Sequence, residues 1–285
     1  MWVFLCILSA VFFALNHIVS KEFSIRENIT KFFPLFYLFS FFLLLPFITW
    51  LQVIPNLQVL ITLSLFSLFT ILGTFFLFYA YSKTAISTSG PLLNFSPIIL
   101  FITSFFILGE RASGISVIGV IFIIVGGYLI SLKNVREWYY PFTSLPIKYF
   151  GIVLLTLFFW SLAAPLAKLT LKEMNVYSFT LYTMLFGFFV WFIIEKIRGV
   201  SIICLFKRHW KISLYGAFFY LGAEIAFFMA LSIPEVFVSL AIPIKRTSSL
   251  FVVLMGGKFF HEKNIGQKLI ACAIMLSGVF LIAQF

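Results

Sequence analysis

The sequence predicts an all-α membrane protein of ten transmembrane helices, arranged as two inverted repeats of five helices. Of its 285 residues, 62% are hydrophobic and 10% are charged, and the mean hydropathy is +1.13. Such a chain cannot supply the polar surface of a water-soluble domain. The apolar residues form long runs, and a stretch at residues 78–111 returns weakly at residues 228–263. These observations predict a duplicated membrane protein.

Ten apolar runs follow one another with short linkers, and each is long enough to cross a bilayer of about 30 Å as a helix. Hydrocarbon offers no water to backbone N–H and C=O groups, so we expect helices throughout. The runs are Trp2–Ser20, Phe32–Leu51, Leu57–Tyr81, Ile86–Leu108, Ile115–Leu132, Ile147–Ala167, Val176–Ile194, Ile212–Leu231, Val236–Gly257 and Ile265–Gln284.

The repeat keeps its register over several positions. Because each half holds five spans, an odd number, the second half should enter the membrane in the opposite orientation. We place the halves at residues 1–137 and 138–285, since the longest linker, Arg136–Pro146, falls between them. The matching residues are Phe78, Ala80, Ser82, Ser89, Leu100 and Phe101 with Phe228, Ala230, Ser232, Ser239, Leu250 and Phe251; Glu110, Arg111 and Gly114 with Glu262, Lys263 and Gly266; and Phe12, Leu15 and Lys21 with Phe159, Leu162 and Lys168.

The net charge of +11 does not indicate nucleic acid binding, because the basic residues lie in loops, where they set topology. We call the side of the N-terminus side A and the other side B. Side B holds most of the loop cations, which predicts that side B is cytoplasmic and that both termini lie outside the cytoplasm. Met1–Ser20 is predicted to be a retained span, since it has neither a basic leader nor a cleavage site. The cations of side A are Arg111, Lys168 and Lys172; those of side B are Lys21, Arg26, Lys31, Lys83, Lys133, Arg136, Lys148, Lys196, Arg198, Lys207, Arg208, Lys211, Lys258, Lys263 and Lys268.

Several short motifs resemble the EamA type of the drug/metabolite transporter superfamily. They are the Asn16 to Lys21 end of the first span, the Phe78–Ala80 end of the third, and Pro97 with the turn Leu108-Gly109-Glu110-Arg111. The resemblance implies export or uptake of a small solute, often an amino acid or another metabolite. Together with the inverted halves, it leads us to expect a multi-pass plasma (inner) membrane protein that moves a small metabolite, amino acid or organic-anion-like, by alternating access. The chain departs from the pattern, because family members commonly carry basic residues between spans two and three and keep both termini inside. Here Gln52–Asn56 is uncharged and Ile197–Lys211 is basic.

Three charged residues stand out well inside predicted spans, where charges are costly and commonly functional: Glu224, Lys245 and Arg246. Glu224 lies about 12 residues into its span and Lys245 about 10 into the next, so both should be near mid-depth and able to approach each other. Lys245 and Arg246 are about 100° apart on a helix, so both should not pair with Glu224. Two alternatives stay open: a structural ion pair, or a polar cavity that meets an acidic or zwitterionic solute. If protons drive transport, Glu224 is the best candidate carrier.

Other polar residues in the spans complete the predicted solute site. Asn16 and His17 end the first span, Asn94 belongs to the fourth, and Trp160 stands near the equivalent place in the second half. For two of them alternatives stay open: His17 is a hydrogen-bonded packing residue or a proton relay, and Trp160 lines the cavity or is a packed aromatic residue. Three prolines, in the predicted spans four, six and nine, are expected to bend their helices and free carbonyl groups toward a cavity: Pro97, Pro165 and Pro243.

The sequence lacks the spacings of enzyme sites: there is no HExxH, GxSxG, Walker loop or GxGxxG. We therefore expect no enzyme, no cofactor and no metal. Cys6, Cys204 and Cys272 are expected to be buried small residues. Glu110 and Glu262 are expected to be solvated turn residues that stabilise helix ends. Besides transport, a non-transporting membrane scaffold or partner subunit, and an intramembrane enzyme, are the alternative classes.

Overall fold

Helices are the regular elements of this protein in the computed structural model, which describes residues 1–26, 29–53, 56–83, 91–132, 134–251 and 265–283; no strand occurs among these residues. The prediction of an all-α membrane protein is therefore confirmed. The longer helices are α1 (Trp2–Arg26), α2 (Phe32–Leu44), α3 (Leu57–Lys83), α4 (Ser96–Leu108), α5 (Gly114–Ser131), α6 (Ile147–Leu171), α7 (Val176–Ile197), α8 (Ile202–Leu231), α9 (Val238–Arg246) and α10 (Ile265–Ala283).

Eight of the described helices are long and apolar enough to cross a membrane: α1, α2 with the 3-10 turn that follows it, α3, α5, α6, α7, α8 and α10. The other two predicted spans continue outside the described residues. α4 is preceded by a 3-10 turn at Pro91–Phe95, and its predicted span includes residues 86–90. After α9 the chain is again helical at residues 248–251, and its predicted span runs on to residue 257. The total of ten stays a prediction.

Short polar residues begin several of the helices. Ser113, Asn175 and Ser201 each accept a hydrogen bond from the backbone N–H three residues later, and so satisfy a donor that the helix leaves free. Gly109 ends α4 with φ of 69°, a left-handed conformation that favours glycine. Pro97 lies in the first turn of α4, where it begins the helix rather than bending it. Pro165 and Pro243, in contrast, are inside α6 and α9.

The basic segment Ile197–Lys211, which the sequence places between two predicted spans, is largely helical. α8 begins at Ile202 and runs for 30 residues, about 45 Å, so it starts ten residues before the predicted span. The segment is helical because an α-helix satisfies its own backbone in water as well as in lipid. Ile203 and Phe206 are exposed on it beside the lysines. The described linker between α7 and α8 is only residues 198–201.

The helices pack in pairs that join the two predicted halves. α3 lies along α6, α1 along α8, and α5 along α10, while α4 contacts α6 and α9 contacts α1. α5 and α10 approach closely at small residues. An added Cβ on Gly119 would lie 2.8 Å from the carbonyl oxygen of Gly278, and one on Gly126 would lie 2.7 Å from that of Ala271. As the residue number rises on α5 it falls on α10, so these two helices are antiparallel.

Large apolar side chains cover the outside of the bundle, among them Phe4, Ile98, Phe106, Phe189 and Phe280. In a soluble protein such a surface would aggregate, but lipid tails solvate it. Small polar side chains are instead buried inside. Trp138, Tyr139 and Tyr140, in the linker between α5 and α6, are exposed, as aromatic residues of the headgroup layer should be.

Candidate solute-binding site

Glu224 of α8 and Lys245 of α9 form an ion pair inside the bundle. The Nζ of Lys245 donates a hydrogen bond to Oε1 of Glu224 at 2.7 Å, and the two side chains are 14% and 9% exposed. The prediction that they approach each other is confirmed. The Lys245 ammonium also lies 4.2 Å from the ring centre of Phe227 and 5.1 Å from that of Phe13. Aromatic faces stabilise a cation that has lost part of its water.

Two tyrosines lie in the region of the Glu224 carboxylate. Tyr37 of α2 and Tyr220 of α8 are both within electrostatic range of Glu224. Tyr220 is one helical turn before Glu224, so both side chains share a face of α8. A cavity of about 20 Å³, enough for one water molecule, lies beside the tyrosines. Hydroxyl groups of α3 and α7 line it as well: Ser67, Thr70 and Thr183.

Arg246 points to a different partner from that of Lys245. Its guanidinium carbon lies 5.4 Å from the ring centre of Trp160 on α6. The indole in turn lies against Gly73 of α3, where an added Cβ would stand 2.7 Å from Nε1. Glycine therefore makes room for Trp160, and Trp160 provides a surface for Arg246. As the helical spacing predicts, the two adjacent cations extend in different directions.

His17 of α1 lies close to this cluster. Its imidazole is within electrostatic range of both Arg246 and Lys245, and its ring packs edge-on against Phe13 at 4.6 Å between centres. The side chain of His17 is exposed. Four of the predicted residues, His17, Glu224, Lys245 and Arg246, thus lie in one region, with Trp160 at its edge.

The two amides are engaged with backbone carbonyls of neighbouring helices. Asn16 is 8% exposed and donates to the carbonyl of Gly216 on α8 at 2.9 Å. Asn94 donates to the carbonyl of Gly127 at 3.0 Å and to the hydroxyl of Ser131 at 3.1 Å, both on α5. These are contacts that join helices. A part in solute binding stays a prediction for both residues.

Comparison with known proteins decides the family. The EamA-like transporter family matches residues 1–132 and 148–284, nearly the whole chain. This chain belongs to the EamA-like transporter family. Among solved structures, one crystal structure of a protein superposes with a TM-score of 0.74 over 98% of this chain and 94% of that chain, at 14% sequence identity. At that identity the likeness shows the fold alone. No curated protein matches the chain.

The EamA-like fold reveals contacts that sequence reasoning missed. Tyr37, Tyr220, Phe13 and Phe227 surround the ion pair, yet in the sequence they were four among many aromatic residues. A signal existed for three of them. Tyr220 and Phe227 are four residues before and three residues after Glu224, and Phe13 is four before His17, which places them on the same helical faces. Only the packing of α2 against α8 brings Tyr37 to the site.

Two expectations about this EamA-like chain need correction. Glu110 is not merely a solvated turn residue, because its carboxylate accepts three hydrogen bonds from the beginning of α9. Glu262 lies outside the described residues. Cys6 and Cys272 are buried as expected, but Cys204 is exposed, since it lies in the early part of α8 that precedes the predicted span. The described residues contain no cluster of side chains that suits a metal ion.

Proposed function

We propose that this EamA-like protein is a secondary transporter that moves a small metabolite, amino acid or organic-anion-like, across the plasma membrane by alternating access. The observation that carries this proposal is the charged cluster inside the bundle. Glu224, Lys245, Arg246 and His17 come from three helices and lie inside the bundle, where ionisable groups are costly and commonly mark a solute path.

The charges of the cluster indicate the class of solute. Among the described residues, the helices that meet there carry the cations Lys245 and Arg246 and the carboxylate of Glu224. The ammonium and guanidinium groups would complement the carboxylate of an acidic or zwitterionic solute. Trp160 and Phe13 add apolar surface beside the cations, which suits a solute with both a charged group and a carbon skeleton.

We further propose that residues 1–137 and 138–285 are two inverted five-helix repeats that rock about this cluster. The contacts between α5 and α10 support this arrangement. Gly114 and Gly266 match in the sequence, and the same offset matches Gly126 with Gly278 and Gly119 with Ala271. If each residue is exchanged for its match in the other half, the contact of Gly119 with Gly278 becomes a contact of Ala271 with Gly126. Both contacts are observed. A twofold axis in the membrane plane, which makes equivalent helices antiparallel, produces this exchange.

The remaining long contacts support the same axis. In the proposed repeat, α1, α3 and α4 are equivalent to α6, α8 and α9. The packing of α3 on α6 then corresponds to that of α8 on α1, and the packing of α4 on α6 to that of α9 on α1. All four contacts are present. Glycine makes room for an aromatic ring in both of the longer pairs. Gly73 of α3 receives Trp160 of α6, and Gly222 of α8 receives Phe12 of α1. The family matches at residues 1–132 and 148–284 also agree with two repeats.

Uptake by purified protein in liposomes tests this function. The assay would screen amino acids, nucleosides and organic anions, with and without a proton gradient, and compare the wild type with Glu224→Gln. We expect saturable uptake of an acidic or zwitterionic solute that the substitution abolishes. Glu137→Gln, in an exposed linker, is the control that removes a carboxylate elsewhere. Absence of uptake for the whole screen, with folded protein, would favour the scaffold or partner-subunit alternative.

A further inference from the structure

The two halves meet at side A through a carboxylate of one and a helix N-terminus of the other. Glu110 stands in the turn between α4 and α5, in the first half. Its Oε1 accepts a hydrogen bond from the N–H of Val238 at 2.7 Å, and its Oε2 accepts from the N–H and the hydroxyl of Ser239 at 3.0 and 2.7 Å. Val238 and Ser239 are the first two residues of α9, in the second half.

α9 depends on this carboxylate because it has no cap of its own. Its N-cap residue is Phe237, whose side chain accepts no hydrogen bond. The first N–H groups of a helix need an acceptor, and a carboxylate there also meets the positive end of the helix dipole. α5, α7 and α8 carry a serine or asparagine at the same position. For α9 the cap comes from the other half of the protein.

A lysine holds the chain immediately before α9. Lys168 of α6 is 6% exposed, and its Nζ donates to the carbonyls of Pro234, at 3.2 Å, and of Val236. Two contacts of opposite charge therefore hold residues 234–239. Backbone carbonyl groups of this segment accept hydrogen bonds from a cation, and its N–H groups donate hydrogen bonds to an anion. Both contacts stand at side A, and the helix that follows them carries Lys245 and Arg246.

We propose that Glu110 is a detachable cap that positions α9 and holds the charged cluster closed toward side A. The purpose of this cap rests on the proposed transport function, but the experiment that tests the cap does not depend on transport. When the cap is in place, α9 is fixed against the first half and the cluster is covered from side A. When the hydrogen bonds break, the beginning of α9 loses its acceptors and moves away, and side A opens. Because packed interfaces switch between discrete arrangements, the contact of α9 with the first half is either made or released.

Cys6 provides a natural reporter of this opening. It lies in α1, which packs against α9, it is buried, and it is within electrostatic range of Lys245. The experiment measures the rate at which a sulfonated maleimide labels Cys6 in purified full-length protein in nanodiscs. The background is Cys204→Ser, because Cys204 is exposed. A further Cys6→Ser variant reports any labelling of Cys272.

We expect Glu110→Ala to raise the labelling rate of Cys6 at least tenfold. Glu110→Gln should raise it less, because the amide oxygen still accepts hydrogen bonds but carries no charge. Ser239→Ala removes only the hydroxyl contact and should give a small rise, so it tests the proposal even if Glu110→Ala folds poorly. Glu235→Gln removes a carboxylate from an exposed position of the same linker and should leave the rate unchanged.

The labelling rates decide the inference independently of any solute. Wild-type rates in folded Glu110→Ala and Ser239→Ala would overturn the cap, whether or not the protein transports. A raised rate in Glu235→Gln equal to that in Glu110→Ala would also overturn it, because the effect would then belong to charge alone. If uptake is measurable, Glu110→Gln should change its maximal rate and leave the half-saturating solute concentration nearly unchanged, since Glu110 positions α9 without contacting the solute.

Discussion

The Nζ of Lys245 lies 2.7 Å from Oε1 of Glu224, between two successive helices and with little exposure of either side chain. A buried pair of this kind is no proof of function. Replacing both members by apolar residues is often neutral, whereas removing one leaves an unpaired charge and commonly costs about 3–5 kcal/mol. Structural and functional roles therefore make opposite predictions for the double variant.

The first prediction uses this difference. We expect Glu224→Gln and Lys245→Met each to fold and to lose at least tenfold in transport rate, and the double variant to fold and stay inactive. Size-exclusion profiles and melting temperatures measure folding, and liposome uptake measures transport. Full transport by a well-folded double variant would show that the pair is structural, and would remove both the cavity role and the proton role.

The second prediction concerns coupling. If protons drive uptake, the carboxylate of Glu224 carries them, because it is the only acidic side chain of the described charged cluster. Glu224→Gln should then abolish accumulation driven by a proton gradient but keep the exchange of labelled for unlabelled solute. Counterflow in liposomes separates the two. Gradient-driven accumulation that survives in Glu224→Gln would exclude this residue as the carrier.

The third prediction concerns the support of Trp160. Gly73→Ala places a Cβ 2.5 Å from Cδ1 of the indole, so the ring must move and its contact with Arg246 must change. We expect a lower melting temperature and an altered solute affinity. Gly151→Ala on α6 is the matched control, because its Cβ meets nothing within 4 Å. It should be neutral or slightly stabilising, since alanine favours helix. Equal behaviour of the two variants would contradict the packing described here.

The fourth prediction concerns the contact of α5 with α10. Gly278→Ala places a Cβ 2.5 Å from the carbonyl oxygen of Gly119, and backbone cannot yield as a flexible side chain can. We expect a loss of about 1–3 kcal/mol in stability, as for other overpacked interiors. Gly114→Ala and Gly266→Ala, which meet no atom within 4 Å, should not show it. Unfolding in mixed micelles with increasing denaturant measures the difference, and an unaffected Gly278→Ala would contradict the close approach.

The fifth prediction concerns topology. The distribution of lysine and arginine predicts that both termini lie outside the cytoplasm and that residues 197–211 lie inside. Reporter fusions at Phe285 and within residues 198–201 should therefore report opposite sides. Cytoplasmic activity of the reporter at Phe285 would reverse this orientation, though it would leave the fold unchanged.

The membrane class, the helical structure and the family resemblance followed from the sequence because they depend on summed properties. A long apolar run must be helical in lipid whatever its neighbours are. The approach of Glu224 and Lys245 to each other followed from residue counts and a fixed rise per residue. The beginning of α8 did not follow, since lysines mark where a chain leaves hydrocarbon and not where a helix begins.

The sequence by itself determined that this protein lies in a membrane and carries charges within its apolar helices. Only the tertiary structure decided which groups meet those charges. The packing of α2 against α8 brings Tyr37 toward Glu224, Trp160 lies near Arg246, and Glu110 caps α9 across 128 positions of sequence. No local pattern indicates such contacts, because lipid solvates all outward faces alike and helix pairing depends on the close fit of small and large side chains. Gly73, Gly119 and Gly278 show this, because each matters only for the neighbouring group that its missing side chain allows to approach.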